Sequence, residues 1–105
     1  MEYINKVELQ GYIGPPTVSY MKDKRVARFS LATQYVFKGV NGSLLTETTW
    51  FDCTAFENDN IDFSIIQTGN TLNVVGRLRE RRYVTSDGIE KRVFEVICQS
   101  VKLAE

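Results

Sequence analysis

The chain contains no histidine. That removes the commonest general base and the commonest metal ligand. It has no CxxC, no GxxxxGK[ST] and no GxSxG, so dithiol redox, P-loop and serine-hydrolase chemistry have no residues to rest on. Its carboxylates are spread without a recognisable pair. The two cysteines, Cys53 and Cys98, lie far apart and form no metal spacing. They are expected as two reduced, buried thiols. No apolar run approaches the roughly 20 residues that span a bilayer. The opening MEYINKVELQ has neither the basic nor the apolar region of a secretion signal. These absences set an expectation of a cytoplasmic, non-membrane, non-enzymatic chain without metal or cofactor.

Net charge is absent too. Thirteen Lys and Arg balance thirteen Asp and Glu, which by itself argues against a phosphate-rich partner. The distribution says otherwise. Residues 39–76 carry Glu47, Asp52, Glu57, Asp59 and Asp62 and no Lys or Arg. Residues 77–92 carry six cations, Arg77, Arg79, Arg81, Arg82, Lys91 and Arg92, against Glu80, Asp87 and Glu90. A solvated ribbon would explain that cluster, and so would one wall of a basic groove.

What is present is β pattern. With 105 residues and 43% hydrophobic content, the chain suits one domain, 1–105, with one core. NKVELQGYI alternates up to a Gly14–Pro16 turn, where two prolines cannot donate to a ladder. RVARFSLATQYVF reads as a second strand with Ala27, Phe29 and Leu31 on one face. KGVNGS is a turn or loop. Leu45 to Phe56 is a third strand. ENDNIDFSIIQTGN breaks the alternation. Ile61, Ile65 and Ile66 fall at helical spacing, with Asn60 as cap and Gly69 as stop, so a short helix is expected. TLNVVGRLRERRYV and KRVFEVICQSVKL form a long hairpin around Asp87-Gly88. A single helix between the third and fourth of five strands predicts an all-β, Greek-key oligonucleotide-binding barrel, with a β-sandwich as the alternative.

In the third strand, alternation puts Thr49, Phe51, Cys53 and Ala55 on one face and Thr48, Trp50, Asp52, Thr54 and Phe56 on the other. The second set is half polar yet holds the only tryptophan. On the fourth strand Arg77, Arg79, Arg81 and Tyr83 share a face, and Phe37 ends the second strand. Each aromatic has a plain explanation: Trp50 in the core, Phe56 capping the barrel end, Tyr83 at the rim. Taken together, aromatic platforms among basic residues suit single-stranded nucleic acid, whose bases can stack.

The stretches NKVELQGYIG, VARFSLAT, TTWFDCTAF and LNVVGRLRERRYVTSDGIEKRVFEV together resemble the bacterial single-stranded DNA-binding proteins over nearly the whole chain. The resemblance implies base stacking on Phe37, Trp50, Phe56 and Tyr83. Two of these positions, Phe37 and Tyr83, are often Trp in the family. It implies phosphate contacts from Lys6, Arg79, Arg81 and Arg82, to which the strand pattern adds Arg77. Strand parity sets Arg82 opposite Arg79 and Arg81. The resemblance also implies a homo-oligomer, tetramer or dimer, that binds single-stranded DNA in replication, recombination and repair.

Three departures lower the positive charge or alter the contacts. Asp52 stands where the family often has a basic residue, Phe51 where it often has His, and Asn58 where it usually has a basic residue. Family members usually continue into a Gly/Pro/Gln-rich tail with an acidic tip, whereas this chain stops at VKLAE, so tail-mediated partners are not expected. ENDNIDFSIIQTGNTLNVVG also resembles primosomal replication protein N, the nearest alternative. A rival of another class is a protein–protein adaptor with weak DNA binding, in which Trp50 would be an interface anchor.

Overall fold

A computed structural model describes residues 1–104; the final residue of the VKLAE ending, Glu105, lies outside them. Six strands follow in order: β1 (Val7–Ile13), β2 (Thr17–Met21), β3 (Lys24–Lys38), β4 (Leu44–Phe56), β5 (Thr71–Val84) and β6 (Glu90–Leu103). They form one sheet in the order β1-β5-β6-β4-β3-β2, and a further β1–β3 pairing closes it. All pairings are antiparallel except the short β4–β6 contact, Cys53↔Val96 and Thr54↔Ile97.

β2 has no counterpart in the strands expected from sequence. It is the second half of one bent strand. β1 meets β3 at Tyr12↔Ala32 and Ile13↔Leu31, and the Gly14 N–H donates to the Ser30 carbonyl at 2.9 Å. Pairing resumes at Thr17↔Arg28, one residue out of step. Pro15 and Pro16 cause this slip, because neither can donate to the ladder. The result is five strands' worth of closed barrel.

Closure depends on two close backbone approaches. A Cβ on Gly11 would lie 2.0 Å from the Ala32 carbonyl oxygen, where β1 leaves β5 for β3. A Cβ on Gly76 would lie 2.2 Å from the Ile97 carbonyl oxygen, beside the bulge in the β5–β6 register. Only glycine fits at either place.

The core follows the expected alternation in β3 and at the Cys53 and Ala55 end of β4, whereas Thr49, expected on the same face, is exposed and Phe51 is only partly buried. Ala27, Phe29 and Leu31 of β3 pack with Cys53 and Ala55 of β4, Leu72 and Val74 of β5, and Val96, Cys98 and Val101 of β6. Both cysteines are buried and free. The neighbouring Cys98 thiol and burial push the Cys53 thiol far above its usual range, so it stays protonated.

Between β4 and β5 the expected helix shrinks to a single 3-10 turn, Phe63–Ile65, capped by Asp62 rather than Asn60. Local side chains capture the backbone first: Asn58 Oδ1 accepts from the Asn60 N–H at 2.7 Å, and Asp62 Oδ1 from the Ser64 N–H at 2.9 Å. Such bonds compete with helix propagation. Ile61, Phe63 and Ile66 instead plug the barrel. The Asp87-Gly88 hairpin forms as expected, with Gly88 at φ 84°. Among the described residues, no helix is long and apolar enough to cross a membrane.

Candidate nucleic-acid interface

Directly opposed residues of an antiparallel pair point to the same face. The registers therefore build the outer face strand by strand. Arg77, Arg79 and Arg81 of β5 stand against Ile97, Glu95 and Val93 of β6, and Tyr83 against Lys91. Trp50, Asp52, Thr54 and Phe56 of β4 stand against Ala32, Ser30, Arg28 and Val26 of β3. The two halves are tied at Glu95. Its Oε2 accepts from the Thr54 hydroxyl at 2.9 Å, and its Oε1 from Arg79 Nη2 at 2.7 Å. Arg81 Nε lies 3.9 Å from the same oxygen. One surface thus runs across β5, β6, β4 and β3.

Glu95 is nearly buried, at 7% exposure. Burial alone would push its carboxyl up; the bonds from Arg79 and Thr54 outweigh that and hold it below the usual carboxylate range. The carboxylate fixes Arg79 in the groove and offsets part of the local charge. Arg28 and Arg77 make no ion pair among the described residues, so their guanidinium groups face outward uncompensated.

Trp50 is 54% exposed, far more than a core tryptophan would be. It lies at the surface. Ala32 opposite it on β3 is small and buried, and the rings of Tyr12 and Trp50 meet edge-to-face at 5.7 Å and 84°. The tyrosine braces one side and leaves a ring face for a ligand. Tyr83 is 42% exposed, with the Arg81 guanidinium 5.9 Å from its ring centre. Phe56 is half-buried and lines a cleft of about 400 Å³ with Met21, Lys22 and Lys24.

The structure brings Trp50, Phe56, Tyr83, Arg77, Arg79 and Arg81 onto this face. Lys6 joins its edge: extending the Val7↔Gly76 register by one residue sets it opposite Arg77. Asn5 anchors that end, exchanging bonds of 2.7 and 2.9 Å with the Leu78 backbone. Two expected residues stand elsewhere. Arg82 is on the reverse of the hairpin, where Glu80 Oε1 accepts from its Nε at 2.8 Å. Phe37 sits out on the β3–β4 ribbon, stacked on Tyr35 at 6.2 Å and 21°. By alternation it shares the side of Leu31, not that of Trp50.

Tyr12, Arg28, Tyr35 and Glu95 are the groove and ribbon residues that sequence reasoning passed over. Arg28 was legible from alternation with Ala27 and Phe29. Tyr35 was legible as the same-face neighbour of Phe37. Glu95 and Tyr12 needed cross-strand register, which one sequence does not supply.

The model of the Single-strand binding protein family matches residues 4–104. A single-stranded DNA-binding protein of Neisseria meningitidis is 30% identical over 103 residues, covering 95% of this chain and 59% of that protein. One from Staphylococcus aureus is 33% identical over 82 residues, covering 76% of this chain and 47% of its own length. The chain thus spans less than two thirds of these relatives. Among solved structures, the Plasmodium falciparum SSB in complex with ssDNA superposes with a TM-score of 0.83 at 24% identity, covering 100% of this chain and 98% of that one. The single-stranded DNA-binding protein of Thermus aquaticus gives 0.75 at 19%, covering 97% of this chain and 51% of that one. The fold is therefore the oligonucleotide-binding barrel, and the chain belongs to the single-strand binding protein family.

Proposed function

We propose that residues 1–105 act as one DNA-binding domain that coats single-stranded DNA without requiring a particular sequence. The observation that carries this is the exposed Trp50 platform on the same continuous face as Arg79, Arg81 and Tyr83. Stacked bases contribute roughly 1–3 kcal/mol each, and every base offers a π-face. Duplex DNA hides those faces, so the surface selects single strands. Trp50, Phe56 and Tyr83 are the proposed platforms on the barrel. Phe37, with Tyr35, extends the path along the ribbon. Lys6, Arg77, Arg79 and Arg81 follow the phosphates, while Arg82 contributes from the reverse side of the hairpin.

The reaction is binding and release, with no catalysis, metal or cofactor. The chain works as a homo-oligomer, a tetramer or a dimer, in the cytoplasm at the nucleoid. There it protects strands exposed in replication, recombination and repair.

Titration with oligo(dT), followed by Trp50 fluorescence at two salt concentrations with duplex DNA as competitor, tests the proposal. Strong quenching, weak competition by duplex and a log–log salt slope of about −0.7 per phosphate contact are expected. No quenching at low salt would refute Trp50 as a platform.

A further inference from the structure

A cleft of about 270 Å³ opens at the middle of the outer face, lined by Arg28, Ser30, Asp52, Thr54, Arg81 and Glu95 among others. Two guanidinium groups and two carboxylates meet there, so its formal charge is zero. A phosphate meets both signs of charge in such a site and gains less than it would from the cations alone. A neutral ligand rich in donors and acceptors gains more.

The two acids are not equivalent. Glu95 is engaged on both oxygens, by Arg79 and by Thr54. Asp52 is exposed and makes no ion pair among the described residues. It is an acceptor with free capacity. Arg28 is a donor with free capacity, one diagonal step away: it opposes Thr54, as Ser30 opposes Asp52. Asp52 also shares a strand face with Trp50, two residues and roughly 7 Å along. A base stacked on or beside Trp50 brings its edge within reach.

We propose that this cleft reads the amino-bearing edge of a nucleobase. Asp52 accepts from the exocyclic amino group, and Arg28 donates to the adjacent ring nitrogen or carbonyl. Cytosine, adenine and guanine present an amino group beside an acceptor. Thymine presents carbonyls and one ring N–H, and no amino group. A carboxylate therefore favours the first three bases and disfavours thymine. This inference rests on the single-strand reading above and adds a graded base preference to it.

The test compares oligo(dC) with oligo(dT), which differ little in size, by Trp50 fluorescence. Three chains are titrated: the unsubstituted one, Asp52→Ala and Asp52→Asn. Alanine removes the charge and the acceptor; asparagine removes the charge and keeps an acceptor oxygen. Asp52→Ala is expected to lower the dC-to-dT affinity ratio about fivefold, the low end of discrimination by a good edge contact. Asp52→Asn is expected to restore most of the ratio. A ratio unchanged by alanine would overturn the proposal and leave Asp52 as a charge acting on phosphates alone. Equal ratios for alanine and asparagine, both below the unsubstituted chain, would overturn the acceptor role as well. Binding of neither oligonucleotide by the unsubstituted chain would instead overturn the single-strand reading, and this one with it.

Discussion

The β3–β4 ribbon changes character partway along its length. In its lower part, Val26–Ala32 and Cys53–Ala55 lie mostly against the core, and the outward Thr54 is tied to Glu95. In its upper part, Gln34–Lys38 and Leu44–Trp50 are exposed on both faces. Trp50 stands at the junction. A two-stranded ribbon with no packed face is marginal in water, so the upper part is ordered mainly by what it touches. The lower part is preorganised. The proposed base platforms on the barrel would therefore bind at a smaller ordering cost than the Tyr35–Phe37 pair on the ribbon.

The contrast can be broken hardest at glycine. Gly11→Ala or Gly76→Ala drives a methyl into a carbonyl oxygen within the closed barrel. Each is expected to cost at least about 3 kcal/mol, the upper end for overpacking, and to abolish cooperative thermal unfolding at ordinary temperatures. Gly42, at φ 83° in the ribbon turn, has open space around it. Gly42→Ala is expected to cost only about 1–2 kcal/mol, from the left-handed backbone, as read by denaturant melts.

Aromatic substitutions come next. Trp50→Ala should weaken binding of oligo(dT) by roughly 1–3 kcal/mol, measured by anisotropy of a labelled strand. Phe37→Ala should lose less, because part of its stacking is offset by ordering the ribbon. Equal losses would show that the ribbon is as rigid as the barrel.

A smaller effect separates the two faces of the β5–β6 hairpin. Arg81→Ala should reduce the salt slope of binding by about 0.7, one phosphate contact. Arg82→Ala should reduce it less, since Glu80 engages that guanidinium on the reverse side. Titrations across a salt series read both.

The smallest effect is in acid. Glu95 has a carboxyl held below its unfolded value, so its contribution to stability is present above the ordinary carboxylate range. That contribution is lost as pH falls through the lowered native value. Melting temperature should therefore decline on acidification, and Glu95→Gln should flatten part of that decline.

Much of this molecule could be read from its sequence because the strands alternate cleanly. Ala27, Phe29 and Leu31 needed only a count of two, and Asp87-Gly88 marked its own turn. The same count set Arg77, Arg79, Arg81 and Tyr83 on one face. Three things escaped. Thr17–Met21 is exposed at every position, so no core face announced it between the prolines and the charged turn. The plug around Phe63 has helix-like spacing, but its Asx bonds won locally. The Glu95 junction joins Arg79, sixteen residues away, to Thr54, forty-one residues away. Only the parallel β4–β6 contact brings those strands together, and no local pattern encodes it.

Single strands are proposed to lie across β5, β6, β4 and β3, over Trp50. Photocross-linking of oligo(dT), followed by mapping of the modified peptides, tests it most directly. Adducts are expected in the peptides carrying Trp50, Phe56 and Tyr83. Adducts confined to Tyr3, Tyr20 or Phe94, away from that row, would contradict it.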